Sequence, residues 1–232
     1  MGSIYLIRHG QASFGAADYD VLSPLGERQA QVLGSHLADL GLRLDRCISG
    51  SLRRQRDTAE WAMKQLPSAP ELEIDPAFNE FDAEGMVRVL LPAVLADEPD
   101  AAATMADIAR NHAEFQRLFV LLTDRWQGGE HLHDELESWE VFLARAQGGL
   151  QRIVERARAG EQIAVFTSGG TIAALLHCTL GLPANRALAM SWEIVNTSIS
   201  QLKFHAGNVA LASFNGHTHL QLHKAPELIT YR

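Results

Sequence analysis

The chain has only two cysteines, Cys47 and Cys178, far apart and in no metal-like spacing. Disulfide scaffolding is therefore not expected to organise the fold. Long apolar runs are missing too: none approaches the roughly 18 to 20 residues that cross a bilayer. Positive charge is in deficit, with 20 Lys and Arg against 28 Asp and Glu and a formal net charge of −8. That balance argues against nucleic acid as the main partner. The opening Met-Gly-Ser-Ile-Tyr-Leu-Ile-Arg runs straight into a strand pattern and has no basic leader with a cleavage site. A cytoplasmic location without a membrane partner is the expectation. Internal repeats and low-complexity tracts are absent, so residues 1–232 read as one domain.

What is present is a globular mixture, 47% apolar and 21% charged, with enough chain to bury a sizeable core. Ser3 to Arg8 is short, β-branched and apolar, as a buried strand requires. Ser23-Pro24-Leu25-Gly26-Glu27 carries an N-cap and a first-turn proline, followed by an apolar stripe through Leu25, Ala30, Leu33, Leu37 and Leu40 that Gly41 stops. Cys47-Ile48-Ser49 ends a second strand, and a second helix runs from about residue 52 to 66. Residues 83–96 and 101–126 both read as helices with no strand between them. They define a helical insertion over residues 83–133, a lid or an interface whose exposed helical pair is a candidate homodimer surface. Residues 135–159 form a further helix, 163–167 a buried strand, 168–170 a tight turn and 171–180 a helix. Residues 198–204 and 209–214 close the chain as strands. The alternation implies a three-layer α/β/α sandwich with a mostly parallel sheet.

Ligand sites in such sheets lie at the carboxyl ends of the strands. Three such ends carry suggestive residues: Arg8-His9-Gly10-Gln11, then Ser49-Gly50-Ser51 leading to Arg53 and Arg54, then Ser168-Gly169-Gly170-Thr171 opening a helix. Arg43, Arg46, Arg53, Arg54 and Arg56 also form a local basic cluster in an acidic chain, and a nearby cluster can attract a small anion whatever the net charge. Guanidinium forks match phosphate oxygens, and helix starts favour negative charge. A tetrahedral oxyanion suits this set. Arg53 reads more simply as a solvated helix residue.

These residues resemble the histidine phosphatase superfamily, which includes the cofactor-dependent phosphoglycerate mutases. The resemblance rests on Ile4 to Gly10 followed by Leu22 to Ala30, on Ser49-Gly50-Ser51-Leu52-Arg53-Arg54 leading into Thr58-Ala59, and on Phe78-Asn79-Glu80. Glu137-Ser138-Trp139 and the segment from Asn215 to Leu220 fit as well, so it spans most of the chain outside residues 84–133. It implies His9 as a nucleophile that becomes transiently phosphorylated, Arg8 and Arg54 as phosphate ligands, and Glu80 as general acid and then base. Gln11 and Ser13 occupy positions near the phosphate, and Asp82 and Glu84 are rivals to Glu80. The substrate would be a small phosphorylated molecule, with no metal and no organic cofactor.

One departure stands out. The family's fourth motif usually reads Ser-His-Gly, and here Ser168-Gly169-Gly170 places Gly169 where the histidine would be. Losing one donor to a charge-developing oxygen costs about 3 kcal/mol, or roughly a hundredfold in rate. The Gly169 and Gly170 amides, the Ser168 or Thr171 hydroxyl, or another histidine such as His217 would have to compensate. The leading expectation is a phosphomonoester hydrolase. Its alternatives are a mutase-type phosphoryl transferase and a phospholigand-binding module with little turnover. His131-x-His133 and His217-x-His219 also invite a metal reading, because alternate strand residues share a face.

Overall fold

The computed structural model describes residues 1–13, 20–97, 112–129 and 135–231. A six-stranded sheet in the order β3-β2-β4-β1-β5-β6 organises them. Its strands are β1 (Gly2–Arg8), β2 (Arg46–Ser49), β3 (Leu72–Ile74), β4 (Gln162–Thr167), β5 (Ile199–His205) and β6 (Asn208–Gly216). The first four are parallel, while β5 and β6 run antiparallel at one edge. The mostly parallel three-layer expectation stands in its α/β layering, with a mixed sheet. Strand β3 went unread because three residues, two of them exposed, carry no alternation.

Parallel strands covered on both faces read as continuous apolar runs, and β1 is buried at every position but Tyr5. Ile4 and Leu6 face one layer with Ile163 and Val165 of β4, against α5 (Trp139–Arg156) and α6 (Gly169–Leu180). Ile7, Ala164 and Phe166 face the other, against α1 (Pro24–Asp39) and α2 (Arg53–Met63). The predicted cap of α1 is in place: Ser23 Oγ accepts from the Gly26 N–H at 3.0 Å, and Gly41 with φ +63 ends the turn. Leu40 departs from the expected stripe and is exposed, because it lies past the last helical turn as the C-cap.

Helices α3 (Ala83–Asp97) and α4 (His112–Gly128) come from the expected insertion. With α5, α6 and α7 (Ala184–Met190), they share a second apolar core in which Phe81, Trp126, Trp139 and Phe142 meet at centroid distances of 4.9–5.8 Å. The indole Nε1–H of Trp126 donates to the Glu137 carbonyl at 2.8 Å, so this ring is both packed and satisfied. Residues 101–111 of the expected second helix lie outside the described residues. Helix α6 begins two residues earlier than expected, so Gly169 and Gly170 form its first turn.

His219 sits on the short helix α8 (Thr218–Gln221), buried and stacked on His36 of α1 at 5.3 Å. Burial is the first cause, and neighbouring His36, His217 and His223 add to it, lowering its pKa from 6.5 to about 3. The folded state thus resists a proton that the unfolded chain accepts below about 6.5, so stability is full above that pH and declines toward 3. Denaturant titrations at pH 7.5 and pH 5 should show lower stability at pH 5, with a smaller difference in His219→Leu; equal pH dependence in both proteins would contradict the assignment.

Candidate active site

The register of β1 on β4 pairs Arg8 with Thr167, so the next residues, His9 and Ser168, leave the sheet side by side. The His9 N–H continues the ladder to the Thr167 carbonyl at 2.9 Å, and Asn196 Nδ2 donates to the His9 carbonyl at 2.9 Å. Behind Asn196 stands the C-terminal segment. Thr230 Oγ1 donates to Asn196 Oδ1 and accepts from Gln29 Nε2, which also reaches the Leu228 carbonyl. Gly10 then passes against Gly26, where a Cβ would meet the Gly26 carbonyl oxygen at 2.5 Å. Only glycine allows that approach.

His9 is 3% exposed. Its Nδ1 lies 2.7 Å from the Gly10 carbonyl oxygen, and Arg54 Nε lies 3.2 Å from its Nε2. Both contacts select one tautomer. A carbonyl can only accept, so Nδ1 carries the hydrogen; a guanidinium can only donate, so Nε2 presents its lone pair. Burial, then Arg54, then Arg8 lower the pKa of His9 well below 6.5, against a smaller opposing effect of the Gly10 carbonyl. The imidazole is held neutral, with the Nε2 lone pair turned toward Arg54.

Arg8 and Arg54 are both buried beside it. The Arg8 guanidinium donates to the Ile194 carbonyl, and Arg54 Nη1 pairs with Asp20 Oδ1 at 2.7 Å. Asp20 also accepts from the Arg53 N–H at 2.7 Å, filling the cap of α2 that Leu52 cannot provide. Asp20, Asn196, Gln29 and Gln55 are polar supports that motif reading missed. Their partners lie 18 to 201 positions away, and no local pattern signals that.

Glu80 comes from the loop after β3. Its Oε2 accepts from the Gly170 N–H at 2.9 Å. The Gly170 amide, expected to face phosphate, is therefore committed to the carboxyl group. Burial raises the Glu80 pKa above 4.5, only partly offset by the Gly170 N–H, Arg54 and Arg8. Its rivals are otherwise placed: Asp82 accepts from the Gly85 N–H at 2.8 Å at the start of α3, and Glu84 is exposed. Arg145 of α5 staples the loop, with Nη1 donating to the carbonyls of Pro76, Ala77 and Asn79 at 3.0–3.1 Å while Glu137 grips its other nitrogens.

The remaining expected ligands are less central. Gln11 gives its side-chain oxygen to the Ser23 hydroxyl at 2.8 Å, and the Ser13 N–H bonds the Val21 carbonyl. A Cβ on Gly169 would lie 3.7 Å from Arg8 Nε and 3.4 Å from the Ser191 carbonyl oxygen, so that position borders the Arg8 side of the pocket. Beyond Ser191 a cleft of about 180 Å³ opens, lined by Phe81, Phe119, Leu188 and Trp192, with Thr123 and Asn185 at its polar side. Among the described residues no three His, Cys, Asp or Glu side chains gather as a metal site. His217 and His219 flank the start of α8 rather than alternate along a strand. His131 and His133 lie outside the described residues.

The model of the histidine phosphatase superfamily, branch 1, matches residues 4–217. This chain belongs to that superfamily. It is 32% identical to the mitochondrial serine/threonine-protein phosphatase PGAM5 of Rattus norvegicus over 145 residues, covering 62% of this chain and 46% of the relative. Against the Xenopus laevis protein of the same name the identity is 38%, with 62% and 48% covered. The chain thus spans about half the length of the curated relatives it matches. Among solved structures, mycobacterial glucosyl-3-phosphoglycerate phosphatase complexed with VO3 superposes with a TM-score of 0.65 at 20% identity, covering 94% of this chain and 100% of that one. Bacillus stearothermophilus YhfR superposes with a TM-score of 0.67 at 18% identity, covering 94% and 99%. Both likenesses are of fold. Among the described residues no helix is long and apolar enough to cross a membrane.

Two substitutions probe how this superfamily member holds Glu80. In Gly170→Ala the new methyl would collide with Glu80 Oε1 and lie 2.6 Å from Phe81 Cε1. A loss of turnover of about a hundredfold with cooperative thermal unfolding retained is expected. Arg145→Ala should lower stability by about 2 kcal/mol and slow turnover together; wild-type turnover after either change would contradict the geometry.

Proposed function

We propose that this chain is a phosphomonoester hydrolase working through a phosphohistidine at His9. The observation that carries the reading is the pairing of opposite environments. Burial and two arginines favour the neutral form of an imidazole, and burial raises the pKa of a carboxyl group nearby toward its protonated form. Two titratable groups pushed apart in this way make a nucleophile and an acid in one pocket.

The steps balance as follows. Nε2 of neutral His9 attacks phosphorus in line, and the bond from phosphorus to the leaving oxygen breaks. Glu80 gives its proton to that oxygen, so a neutral alcohol departs. Arg8 and Arg54 hold the equatorial oxygens, where charge accumulates. Glu80, now a carboxylate, takes a proton from water as the water oxygen attacks phosphorus and the P–N bond breaks. Inorganic phosphate leaves, with His9 neutral and Glu80 protonated again. No step calls on a metal or organic cofactor. Phe81, next to the acid, and Ser191, next to the Gly169 turn, both border the 180 Å³ cleft. The leaving group would rest there, which favours aryl or other flat apolar phosphoesters. The cytoplasm is the compartment we assign.

Hydrolysis of para-nitrophenyl phosphate with chelator present is the direct test. Wild type should turn over and His9→Ala should lose at least about a thousandfold; equal activity in both would end the mechanism. The kcat/KM profile should be bell-shaped. Its acid limb, from protonating His9, should lie well below 6.5, and its alkaline limb, from ionising Glu80, above 4.5. Glu80→Gln should remove the alkaline limb and cost more on an alkyl phosphate than on the nitrophenyl ester, whose leaving group needs less protonation. Phe119→Ala should raise KM for aryl phosphates several-fold while leaving KM for glycerol phosphate unchanged.

A further inference from the structure

Gln55 follows Arg54 on α2 and is fully buried. Its Nε2 lies 3.1 Å from the Phe78 carbonyl oxygen and 2.8 Å from Ser168 Oγ. A carbonyl oxygen accepts only, so nitrogen, not Oε1, must face Phe78. That orientation is kept although Gln55 Oε1 has no hydrogen-bond partner among the described residues. Both hydrogens of the amide are then committed, one to Phe78 and one to Ser168. Ser168 Oγ is thereby made an acceptor, and its own hydrogen is left to donate.

Among the described residues nothing takes that hydrogen. The hydroxyl does not cap α6, though Ser168 is the N-cap, and it enters no other bond there. Ser168 is fully buried, and buried hydroxyl hydrogens find acceptors. Its neighbours on the same strand ends behave so: Thr167 Oγ1 donates to the Phe78 carbonyl at 2.6 Å and Ser49 Oγ to the Gly50 carbonyl at 2.8 Å. Ser168 alone of the three is set beside His9, by the Arg8–Thr167 register.

We propose that Ser168, its hydroxyl turned by the Gln55 amide, donates to an equatorial oxygen of the phosphoryl group at His9. It stands in the place of the family's second histidine, one position before Gly169. The inference rests on the phosphohistidine reading, because it needs the phosphoryl group to arrive at Nε2. Ser168 touches the reacting group, while Gln55 is a positioning residue acting only through it. The pair exchanges an imidazole donor for a hydroxyl whose direction is dictated from α2.

The test is a double-mutant cycle read by orthovanadate affinity and by turnover of para-nitrophenyl phosphate, since vanadate mimics the phosphoryl group in transfer. Ser168→Ala should weaken vanadate and lower kcat by about 10- to 100-fold, with KM little changed. Gln55→Leu should cost about tenfold when Ser168 is present and less than about twofold in the Ser168→Ala background. Thermal melts confirm that each variant folds. Wild-type vanadate affinity in Ser168→Ala, or an equal Gln55→Leu penalty in both backgrounds, overturns the proposal. A wild type that binds vanadate with this pattern yet hydrolyses no phosphoester sinks the hydrolase reading and leaves the role of Ser168 standing. A wild type that binds no vanadate sinks both.

Discussion

The Nδ1 proton of His9 is committed to the carbonyl of Gly10, one residue along the chain and 2.7 Å away. With that proton placed, the lone pair of Nε2 can point only into the pocket, toward Arg54. The contact depends on the path of the main chain, because the carbonyl must turn back on its own histidine. Gly10 makes that turn while pressed against Gly26 at the start of α1, and its own N–H is held by Thr58 Oγ1 at 2.9 Å. Thr58 in turn donates to the Arg54 carbonyl, so the helix that delivers the arginine also fixes the loop that orients the imidazole. The close packing of α1 and α2 on one face of the sheet thus decides a tautomer.

Burying two guanidinium groups beside an imidazole is costly unless each charge is answered. Asp20 answers Arg54, and the Ile194 carbonyl helps to answer Arg8. Burial first, and then the residual positive field, keep His9 unprotonated. The same field favours the ionised form of Glu80, yet burial prevails there and raises the carboxyl pKa above its ordinary value. Burial therefore separates the two groups, and the arginines reinforce it only at His9.

Much of the site was legible because its main residues sit in contiguous motifs at strand ends, where local sequence carries the signal. Arg8, His9, Arg54 and Glu80 all converge as expected. The supports were not legible, for a physical reason. Gln55, Asn196, Gln29 and Asp20 are ordinary polar residues until a distant partner defines them, and no periodicity marks a buried amide. The same holds at the fourth motif, where spacing alone pointed to Gly169 and the strand register places Ser168 beside His9. In the fold, β1, β4 and α1 carried strong patterns. Strand β3 and helix α7 did not, being three and seven residues long and so too short to display a period.

The brace behind His9 runs from Gln29 to Thr230, which are 201 positions apart. During synthesis β1 and its histidine are made well before Asn196 and Thr230. A nascent chain can bury much of its core before that segment emerges, but the carbonyl of His9 has no Asn196 to hold it and Asn196 has no Thr230. Maturation of the pocket is thus timed by translation. The segment around Thr230 works as a keystone, and a chain made only as far as β4 carries His9 without yet having its brace.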